Sequence, residues 1–526
     1  MSQAQIHARR WWILGVLILS LFTATLDNTI LNVALPTLAR ELSATTSQLQ
    51  WMVDAYVLVF AGLLLVAGAL SDRYGRRLAL LSGLAIFGIG SIVSAFVATA
   101  DQLIFARAFM GIGAALTMPA TLSIIANVFP DEERPKAIAV WSAVSGIGIV
   151  VGPLLGGWLV ESFAWSSIFL VNVPVVLAGM AATLAIVPES RAERAPGLDP
   201  VGAALSVGGL VALVYGIIEV PSRGWTDPMI VASLGAAVVL LTAFVAWERR
   251  VAEPMLDIRL FRNMRFTAAS LSVTLVMFSL MGVLFFLTQY LQGVLGLSAF
   301  DTGVRFIPLA VGIIVSAPAG PVLTRIAGAK VATSAGLVIT AGSLLLLSTV
   351  NVTSSDLLIQ AVLAIAGFGM GVAMTPATDA IMGALPKSKA GVGSAVNDTT
   401  REIGGALGVA VLGSIFSATF ANEMTSVASS LPADVGAVVR DSIGGALAVA
   451  DQIGGVAGEA ITAAARSAFV DGMAAASLIG AAVAIGGAII AAAWLPARAT
   501  HPVEEAAPSP AKEPTVGLPG GEPLVA

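Results

Sequence analysis

The sequence has no cysteine, and its only two histidines, His7 and His501, lie near its ends. The missing thiols exclude disulfide bonds and thiolate metal sites, and no imidazole is available inside the apolar body of the chain. Charged residues make up 11% of the 526 residues, whereas soluble domains usually carry about 25%. Together with a hydrophobic content of 57%, this shortage of charge indicates an integral membrane protein.

Long apolar runs fill most of the chain. A helix needs about 20 mainly apolar residues to cross a bilayer. Lipid offers the backbone no hydrogen-bond partners, so these runs are predicted to be helices rather than barrel strands. The sequence therefore predicts an all-α integral membrane protein with 14 transmembrane helices. The predicted helices are 12–36, 48–70, 78–98, 102–128, 137–160, 165–187, 200–219, 228–247, 266–292, 303–323, 331–350, 357–385, 393–420 and 470–495.

Cationic residues are concentrated in alternate loops. If the N-terminus is cytoplasmic, 20 of the 27 Lys and Arg residues lie on the cytoplasmic side, five lie outside, and Arg107 and Arg401 lie within helices. Because cytoplasmic loops carry an excess of Lys and Arg, both termini are expected to be cytoplasmic. The tail 496–526 is rich in Pro, Ala and Glu and is predicted to be disordered. The external loop 421–469 is predicted to form one or two amphipathic helices on the outer face, as an ordered cap or as a gate.

A weak internal repeat divides the chain. The segments "LSDRYGRR" (70–77) and "LTRIAGAK" (323–330) share Leu, a hydroxyl residue, Gly and a terminal cation at matching offsets. If the seventh and eighth helices are an insertion, each segment joins the second and third helices of a six-helix half. The predicted organisation is an N-terminal half (1–187), two inserted helices (188–265) and a C-terminal half (266–495).

The loop after the second helix is the most specific motif. "GALSDRYGRRLALL" (68–81) matches every fixed position of G-x-L-x-D-R-x-G-R-R and resembles the loop signature of the major facilitator superfamily. The resemblance implies a major-facilitator fold, here as 6 + 2 + 6 helices, and a cytoplasmic latch that breaks when the transporter changes face. The alternative is a charged loop that only sets topology. The latch residues implied are Gly68, Asp72, Arg73, Gly75, Arg76 and Arg77.

Two further helices carry motifs similar to those of this superfamily. "RAFMGIGAALTMPA" (107–120) resembles its fourth-helix motif, and Arg107 is expected to face a carboxylate or a water-filled cavity because burying it is costly. "GIVVGPLLGGWL" (148–159) resembles the fifth-helix antiporter signature, which implies exchange of substrate for protons. Its small residues permit close helix packing and its proline bends the helix. These residues are Gly148, Gly152, Pro153, Gly156 and Gly157.

The remaining motifs point to one branch of the superfamily. "LDNTILNVALP" (26–36), "WSSIFLVNVP" (165–174) and "PMLDIRLFR" (254–262) resemble the fourteen-helix drug/proton antiporters. "WMVDAYVLVFAGLLL" (51–65), together with the long external loop, is similar to the QacA/LfrA group. The thirteenth helix departs from the branch because "NDTTREIGGALG" (397–408) combines the usual Arg with an acid.

Several ionisable residues lie within predicted helices. With a rise of about 1.5 Å per residue, Asp27 and Arg107 fall at similar depths in the outer half of the bilayer. Asp27 is interpreted as the main proton-coupling residue, with Arg107 beside it and with Glu402 and Asp398 as a second titratable site. Asp54 is expected to attract cations, particularly divalent ones. The alternatives are a buried acid that only fixes packing for Asp27, solvation at the outer rim for Asp54, and a fixed ion pair for Glu402.

Aromatic and flexible side chains are candidates for the substrate pocket, because they suit lipophilic cations. Ordinary helix packing is the alternative for each of them. With Asp27 and Asp54, the predicted pocket residues are Phe22, Tyr56, Met118, Gln289 and Tyr290.

The sequence thus predicts a proton-coupled antiporter that exports lipophilic, mainly cationic drugs or antiseptics across a bacterial plasma membrane. An exporter dedicated to an endogenous product, such as an antibiotic or lipid, is the alternative. No phosphate-binding G-x-x-x-x-G-K-[ST], H-E-x-x-H or G-x-S-x-G is present, so neither ATP use nor enzymatic activity is expected. The expected partners are small molecules, protons and the bilayer, without cofactor, metal or nucleic acid, and the protein is expected to act as a monomer.

Overall fold

The computed structural model describes residues 3–130, 132–191, 197–384 and 390–495. Within these ranges the backbone forms 18 α-helices, one 3-10 helix and one π-helix, and it contains no β-strand. The all-helical prediction is therefore confirmed. The predicted disordered tail, 496–526, lies outside the described residues.

The helices are numbered in chain order. They are α1 (Gln3–Glu41), α2 (Thr46–Tyr74), α3 (Arg76–Ala95), α4 (Ala100–Val128), α5 (Arg134–Ser162), α6 (Ser167–Leu170), α7 (Asn172–Ile186), α8 (Pro200–Arg223), α9 (Pro228–Glu248), α10 (Met264–Gln289), α11 (Ala299–Arg305), α12 (Ile307–Leu347), α13 (Asp356–Gly383), α14 (Ala390–Glu423), α15 (Thr425–Ala428), α16 (Ala433–Asp441), α17 (Ile443–Ile453) and α18 (Gly455–Trp494). The 3-10 helix is Ile258–Arg262 and the π-helix is Tyr290–Val294.

Most of these helices are long enough to cross a bilayer. Thirteen segments of the described residues are both long and apolar enough to do so, and they match thirteen of the fourteen predicted spans. The remaining predicted span, 137–160, coincides with α5. The protein is therefore a multi-pass membrane protein, as predicted.

Local sequence fixes where α2 begins. Thr45 and Gln48 form a capping box, in which the Gln48 backbone N–H donates to Thr45 Oγ1 and the Thr45 backbone N–H donates to Gln48 Oε1. This arrangement satisfies two backbone donors that an open helix end would leave unpaired. The box places Gln50 and Asp54 within the first turns of α2.

Two glycines interrupt the helices at matching places in the internal repeat. Gly75 separates α2 from α3 with φ 131° and ψ 130°, and Gly328 kinks α12 with φ 88° and ψ 161°. Side chains other than glycine rarely adopt such positive φ values. Both glycines occupy the sixth position of the repeated eight residues. Helix α12 covers most of two predicted spans, 303–323 and 331–350, and its kink at Gly328 lies between them.

The segment before the last span contains short helices, as predicted for residues 421–469. Residues 421–469 contain α15, α16 and α17, and the last fifteen of them already belong to α18. The Ala-rich sequence of this region supports helix formation without the continuous hydrophobicity that identifies a membrane span. The start of the last helix was therefore placed too late, at 470 instead of Gly455.

Helices α8 and α9 form a pair beside the main bundle. Helix α8 contacts both α2 and α14. A Cβ on Gly62 of α2 would overlap Val207 of α8. Ser414 Oγ of α14 donates to the Ile217 carbonyl of α8 at 2.9 Å. Helix α9 packs mainly against α8 and leaves large residues such as Val238 and Val239 exposed, as expected for a lipid-facing surface.

Direct contacts between early and late helices cluster at one end of the bundle, where α1 ends and α2 begins. Gln50 Nε2 of α2 donates to the Val409 and Ala410 carbonyls of α14, at 3.0 and 3.3 Å. Gln292 Nε2, after α10, donates to the Val33 carbonyl of α1 at 2.9 Å. Gly157 of α5 meets the backbone of α11. We call this end the sealed end.

Candidate functional site

A buried ion pair joins α1 to α4. Arg107 Nη1 donates to Asp27 Oδ2, and the side chains are 0% and 2% exposed. Two charges removed from water need each other, because either one alone would be left uncompensated in an apolar interior. The expectation that Arg107 faces a carboxylate, and that this carboxylate lies at its own depth, agrees with this geometry.

Further contacts fix the Arg107 guanidinium. Its Nε donates to the Met52 carbonyl of α2 at 3.1 Å, and its centre lies 4.4 Å from the Tyr56 ring centroid. Such a cation over an aromatic face is stabilised electrostatically. Arg107 Nη2 is buried and has no hydrogen-bond partner among the described residues. One donor of the guanidinium therefore remains available to an incoming acceptor.

The other oxygen of Asp27 is held by a residue that sequence reasoning missed. Asn172, the first residue of α7, donates through Nδ2 to Asp27 Oδ1 at 2.9 Å and to Ser91 Oγ of α3 at 3.1 Å. Asn172 is fully buried. It lies within "WSSIFLVNVP", so the motif was recognised, but nothing in the local sequence separates this amide from an ordinary interfacial one.

The glycine face of α5 packs against α1 around Asp27. A Cβ on Gly148 would lie 2.6 Å from Thr25 Cγ2, one on Gly152 would overlap Thr29 Oγ1, and one on Gly156 would lie 3.2 Å from the Ile30 backbone. Thr29 Oγ1 also donates to the Gly148 carbonyl at 3.0 Å. The close approach predicted for these glycines is therefore present.

The same motif reaches the sealed end. A Cβ on Gly157 would lie 2.7 Å from Phe300 Cα of α11, and a Cβ on Gly303 of α11 would overlap the Pro153 carbonyl. Helix α5 thus packs against α1 at the level of Asp27 and against α11 at the sealed end.

Asp54 differs from Asp27 in its surroundings. It is 0% exposed, and neither carboxylate oxygen has a hydrogen-bond partner among the described residues. Solvation at an outer rim, one of the two interpretations of this residue, does not agree with this burial. Helix α4 closes over this part of α2, since a Cβ on Gly111 would lie 2.6 Å from the Tyr56 carbonyl.

The acids of α14 lie one turn apart. Asn397 Nδ2 donates to Asp398 Oδ1 at 3.4 Å, and Thr378 Oγ1 donates to Asn397 Oδ1 at 3.1 Å. Glu402 is half-buried and forms no ion pair with any described residue, so the fixed pair considered for it is not seen. Glu402 lies on α14, the helix whose Val409 and Ala410 carbonyls accept the hydrogen bonds of Gln50 from α2.

The predicted pocket residues fall into two groups. Tyr56 is part of the site itself, and Phe22 and Met118 are half-buried against the core. Gln289 and Tyr290 are occupied elsewhere: Gln289 Nε2 donates to the Phe285 carbonyl of its own helix at 3.2 Å. The Tyr290 hydroxyl donates to the Asn351 carbonyl at 2.8 Å. These two polar groups stabilise the local fold.

The loop between α2 and α3 makes its contacts within the early part of the chain. Asp72 Oδ1 accepts from Arg76 Nε at 2.8 Å, and Arg77 Nη2 donates to the Leu184 carbonyl at 3.0 Å. The Arg77 backbone N–H donates to Glu189 Oε1 at 3.2 Å. Arg73 lies beside Tyr74, and Gly68 packs next to Pro119. In this structure the loop ties α2 and α3 to the end of α7.

Comparison with known proteins supports one family. The Major Facilitator Superfamily profile matches residues 17–409. The chain is 36% identical over 493 residues to the multidrug efflux pump LfrA of Mycolicibacterium smegmatis, covering 93% of this chain and 97% of that protein. It is 32% identical over 508 residues to the tetracenomycin C resistance and export protein of Streptomyces glaucescens, covering 95% and 94%.

Solved structures agree on the fold. A bacterial homologue of the human lysosomal transporter Spinster, in an inward-facing and unoccupied conformation, superposes with a TM-score of 0.65. The sequences are 20% identical, and the match covers 91% of this chain and 97% of that chain. Since the family profile and two relatives span most of the chain, this protein is a membrane transporter of the Major Facilitator Superfamily.

Proposed function

We propose that this transporter is a proton-coupled antiporter that exports lipophilic, mainly cationic drugs across the plasma membrane of a bacterium. The observation that carries the proposal is the buried Asp27–Arg107 pair. Helix α1, which carries Asp27, also packs through Thr25, Thr29 and Ile30 on the glycine face of α5, and α5 reaches the sealed end. Export of drugs is also supported by the names of the two relatives. When ionised, Asp54 and Glu402 are further negative charges within the helical bundle, which favours cationic substrates.

We infer a cycle in which Asp27 carries the proton. When Asp27 accepts a proton, Arg107 loses its charged partner, and α1 is free to move against Gly148 and Gly152 of α5. The movement loosens the α5–α11 contact at the sealed end, and the cationic substrate is released outward. Loss of the proton on the other side restores the anion, which attracts the next cation and re-forms the pair with Arg107.

The proposed topology is 6 + 2 + 6 helices with both termini in the cytoplasm. It is supported by the distribution of Lys and Arg and by the matching glycine breaks at Gly75 and Gly328. With this topology the sealed end faces outward, as expected for an inward-facing state. We propose, as the sequence predicts, that the monomer is the working unit and that no cofactor takes part.

The proton gradient is sufficient for the proposed transport. Moving one charge through about 100 mV is worth roughly 2.3 kcal/mol, and a tenfold concentration gradient costs about 1.4 kcal/mol. One net charge per cycle therefore sustains a gradient on the order of fifty-fold.

The proposal is tested with inverted membrane vesicles that contain the protein. We expect a lipophilic cationic dye to accumulate when the vesicles are energised, and the pH of the lumen to rise as protons leave. Collapsing both the pH difference and the membrane potential with a protonophore should stop accumulation. Accumulation that continues without the proton gradient would show that the transporter uses another ion or no ion.

A second candidate is export of one endogenous product by the same mechanism. It is favoured by the similarity to the tetracenomycin C resistance and export protein. The two candidates differ in how many classes of substrate they export. A multidrug exporter is expected to accumulate several unrelated cationic dyes in the vesicles, whereas a dedicated exporter is expected to accumulate none of them and to respond to one class of compound.

A further inference from the structure

Two buried acids lie outside the Asp27 site, where α8 begins and α9 ends. Asp199 precedes α8 and Glu248 is the last residue of α9, and they are 4% and 3% exposed. The proposed transport cycle uses neither of them. Burying a carboxylate is costly unless its charge is compensated, so the burial of two acids together requires an explanation.

One oxygen of each acid has hydrogen-bond donors. Asp199 Oδ1 accepts from the Gly202 backbone N–H and from Trp247 Nε1, both at 2.8 Å. Glu248 Oε2 accepts from the Leu256 backbone N–H at 2.9 Å. These contacts join the first turn of α8, the last turn of α9 and the segment that leads toward α10.

The other oxygen of each acid has none. Asp199 Oδ2 and Glu248 Oε1 are buried and have no hydrogen-bond partner among the described residues. They face the same small space: a Cβ on Gly202 would lie 2.7 Å from Glu248 Oε1 and closer still to Asp199 Oδ2. Two acceptors thus meet at a point that lacks a donor.

The surrounding charges do not neutralise the pair. Arg249 and Arg250 follow Glu248 but are exposed, and no ion pair within the described ranges involves either buried acid. Glu253 is exposed, and its Oε2 lies next to Gly197, before α8. Asp257 accepts a hydrogen bond from the Arg259 backbone N–H at the start of the 3-10 helix. Nor do three or more acidic or histidine side chains meet anywhere in the described part of the chain to hold a metal ion.

We propose that Asp199 and Glu248 form a proton-binding site, in which Glu248 Oε1 carries one proton and donates it to Asp199 Oδ2. A single shared proton satisfies both unpaired oxygens and needs no further ligand. Asp199 is the anion of the pair, because it already accepts two hydrogen bonds and lies at the N-terminus of α8, where the helix dipole favours negative charge. Glu248, with one donor, is the acid.

The shared proton makes the site a clamp that depends on pH. When the proton is lost, two negative charges face each other in a buried space where no described residue supplies a cation, and they repel strongly because little water screens them. The ends of α8 and α9 and the Leu256 segment are then expected to separate. Since α8 packs against both α2 and α14, the state of the clamp acts on both parts of the bundle.

Infrared spectroscopy of the purified full-length protein in lipid nanodiscs tests the proposal. The carbonyl stretch of a protonated carboxylic acid is separate from that of a carboxylate and shifts in heavy water. We expect the wild-type protein at neutral pH to show one more protonated acid than Glu248→Gln. Glu253→Gln, the same change at an exposed acid five residues away, should leave the band unchanged.

Thermal unfolding provides the second readout. The midpoint of the wild-type protein should fall as the pH is raised, whereas that of Glu248→Gln should stay flat, because Gln keeps a donor toward Asp199 at every pH. If Glu248→Gln does not fold, Asp199→Asn serves the same purpose, since its amide donates to the Glu248 carboxylate. A protonated-acid band as intense in the variant as in the wild type would overturn the proposal. So would a midpoint that Mg²⁺ or Ca²⁺ raises in the wild type alone, which would identify a metal site.

Discussion

Two ion pairs hold α1 to its neighbours, and they differ mainly in their exposure to water. Arg107 and Asp27 are 0% and 2% exposed, whereas Arg10 and Glu133 are 18% and 35% exposed. The exposed pair is the better formed, with Arg10 Nε and Nη2 donating to the two Glu133 oxygens at 2.7 and 2.9 Å. Its charges would be stable in water without each other, so the pair contributes little. The buried pair has no such alternative, and a change in its protonation must change the structure around it.

Asp54 extends the comparison to an acid that is buried without a cation. Its two oxygens have no partner within the described ranges, whereas each Asp27 oxygen has one. An ionised Asp54 without a partner is a source of instability and, in the proposed function, attracts a cationic substrate. The two acids are therefore expected to respond in opposite ways to neutralisation: loss of charge at Asp27 should destabilise the protein, and loss of charge at Asp54 should not.

Asp27→Asn is expected to have the largest effect. The change leaves Arg107 buried without a negative partner, and breaking a buried pair in this way typically costs about 3–5 kcal/mol of stability. It also removes the proposed proton carrier, so dye accumulation in energised inverted vesicles should fall to background. The thermal unfolding midpoint and the dye uptake are measured on the same preparation.

The matched control for Asp27→Asn is Asp301→Asn, which makes the same change in an exposed acid that also lies beside an arginine, Arg305. This control should transport and unfold like the wild type. If Asp27→Asn accumulates dye at the wild-type rate, Asp27 is not the coupling residue.

Asn172→Ala is expected to have the next largest effect. It removes the hydrogen bond to Asp27 Oδ1, and hydrogen bonds to charged groups contribute roughly 1.5–3 kcal/mol. The unfolding midpoint should therefore fall, while dye uptake should persist at a reduced rate because Arg107 still holds the other oxygen. Asn28→Ala is the control, because Asn28 lies next to Asp27 but its side chain makes no hydrogen bond to a described residue. Equal destabilisation by both changes would contradict the role given to Asn172.

Asp54→Asn should act on substrate choice rather than on stability. Neutralising an acid without a partner removes an unfavourable buried charge and breaks no described contact, so the unfolding midpoint should stay the same or rise. Uptake of dicationic substrates should fall on the order of tenfold, about 1.4 kcal/mol, and uptake of monocationic dyes should fall less. Equal losses for both classes would show that Asp54 does not act through its charge on the substrate.

The Asp27–Arg107 pair could be predicted from the sequence, whereas the contact of Asn172 and the burial of Asp54 could not. Depth along the helices placed Asp27 and Arg107 at one level, and the high free-energy penalty of an unpaired buried arginine made a carboxylate partner the natural expectation. The position of Asn172 depends on how α7 packs against α1 and α3, and this packing cannot be predicted from the sequence of α7 alone. Asp54 had two interpretations for the same reason, since its burial depends on the approach of α4 at Gly111.

The bounds of the helices could also be predicted only in part. The length of each apolar run identified the spans, because a helix needs about 20 mainly apolar residues to cross the bilayer. The start of α18 was placed too late because its first part, from Gly455, is Ala-rich and helical without the hydrophobicity of a span. The expected pocket residue Tyr290 has its hydroxyl bound to the Asn351 carbonyl, a contact between distant residues that no local pattern reports.

Glu133→Gln is expected to have the smallest effect, and its dependence on pH defines the other end of the comparison. The hydrogen bonds from Arg10 lower the pKa of Glu133 below its ordinary value of 4.5. A carboxyl group with a lowered pKa adds stability above its ordinary pKa and loses that stability as the pH falls through the lowered value. Wild type should therefore unfold slightly later than Glu133→Gln at neutral pH, and the difference should vanish in acid and in high salt, which screens exposed charges. Thermal unfolding at two pH values and two salt concentrations measures it. A loss at neutral pH as large as that of Asp27→Asn would show that exposure to water is not what separates the two pairs.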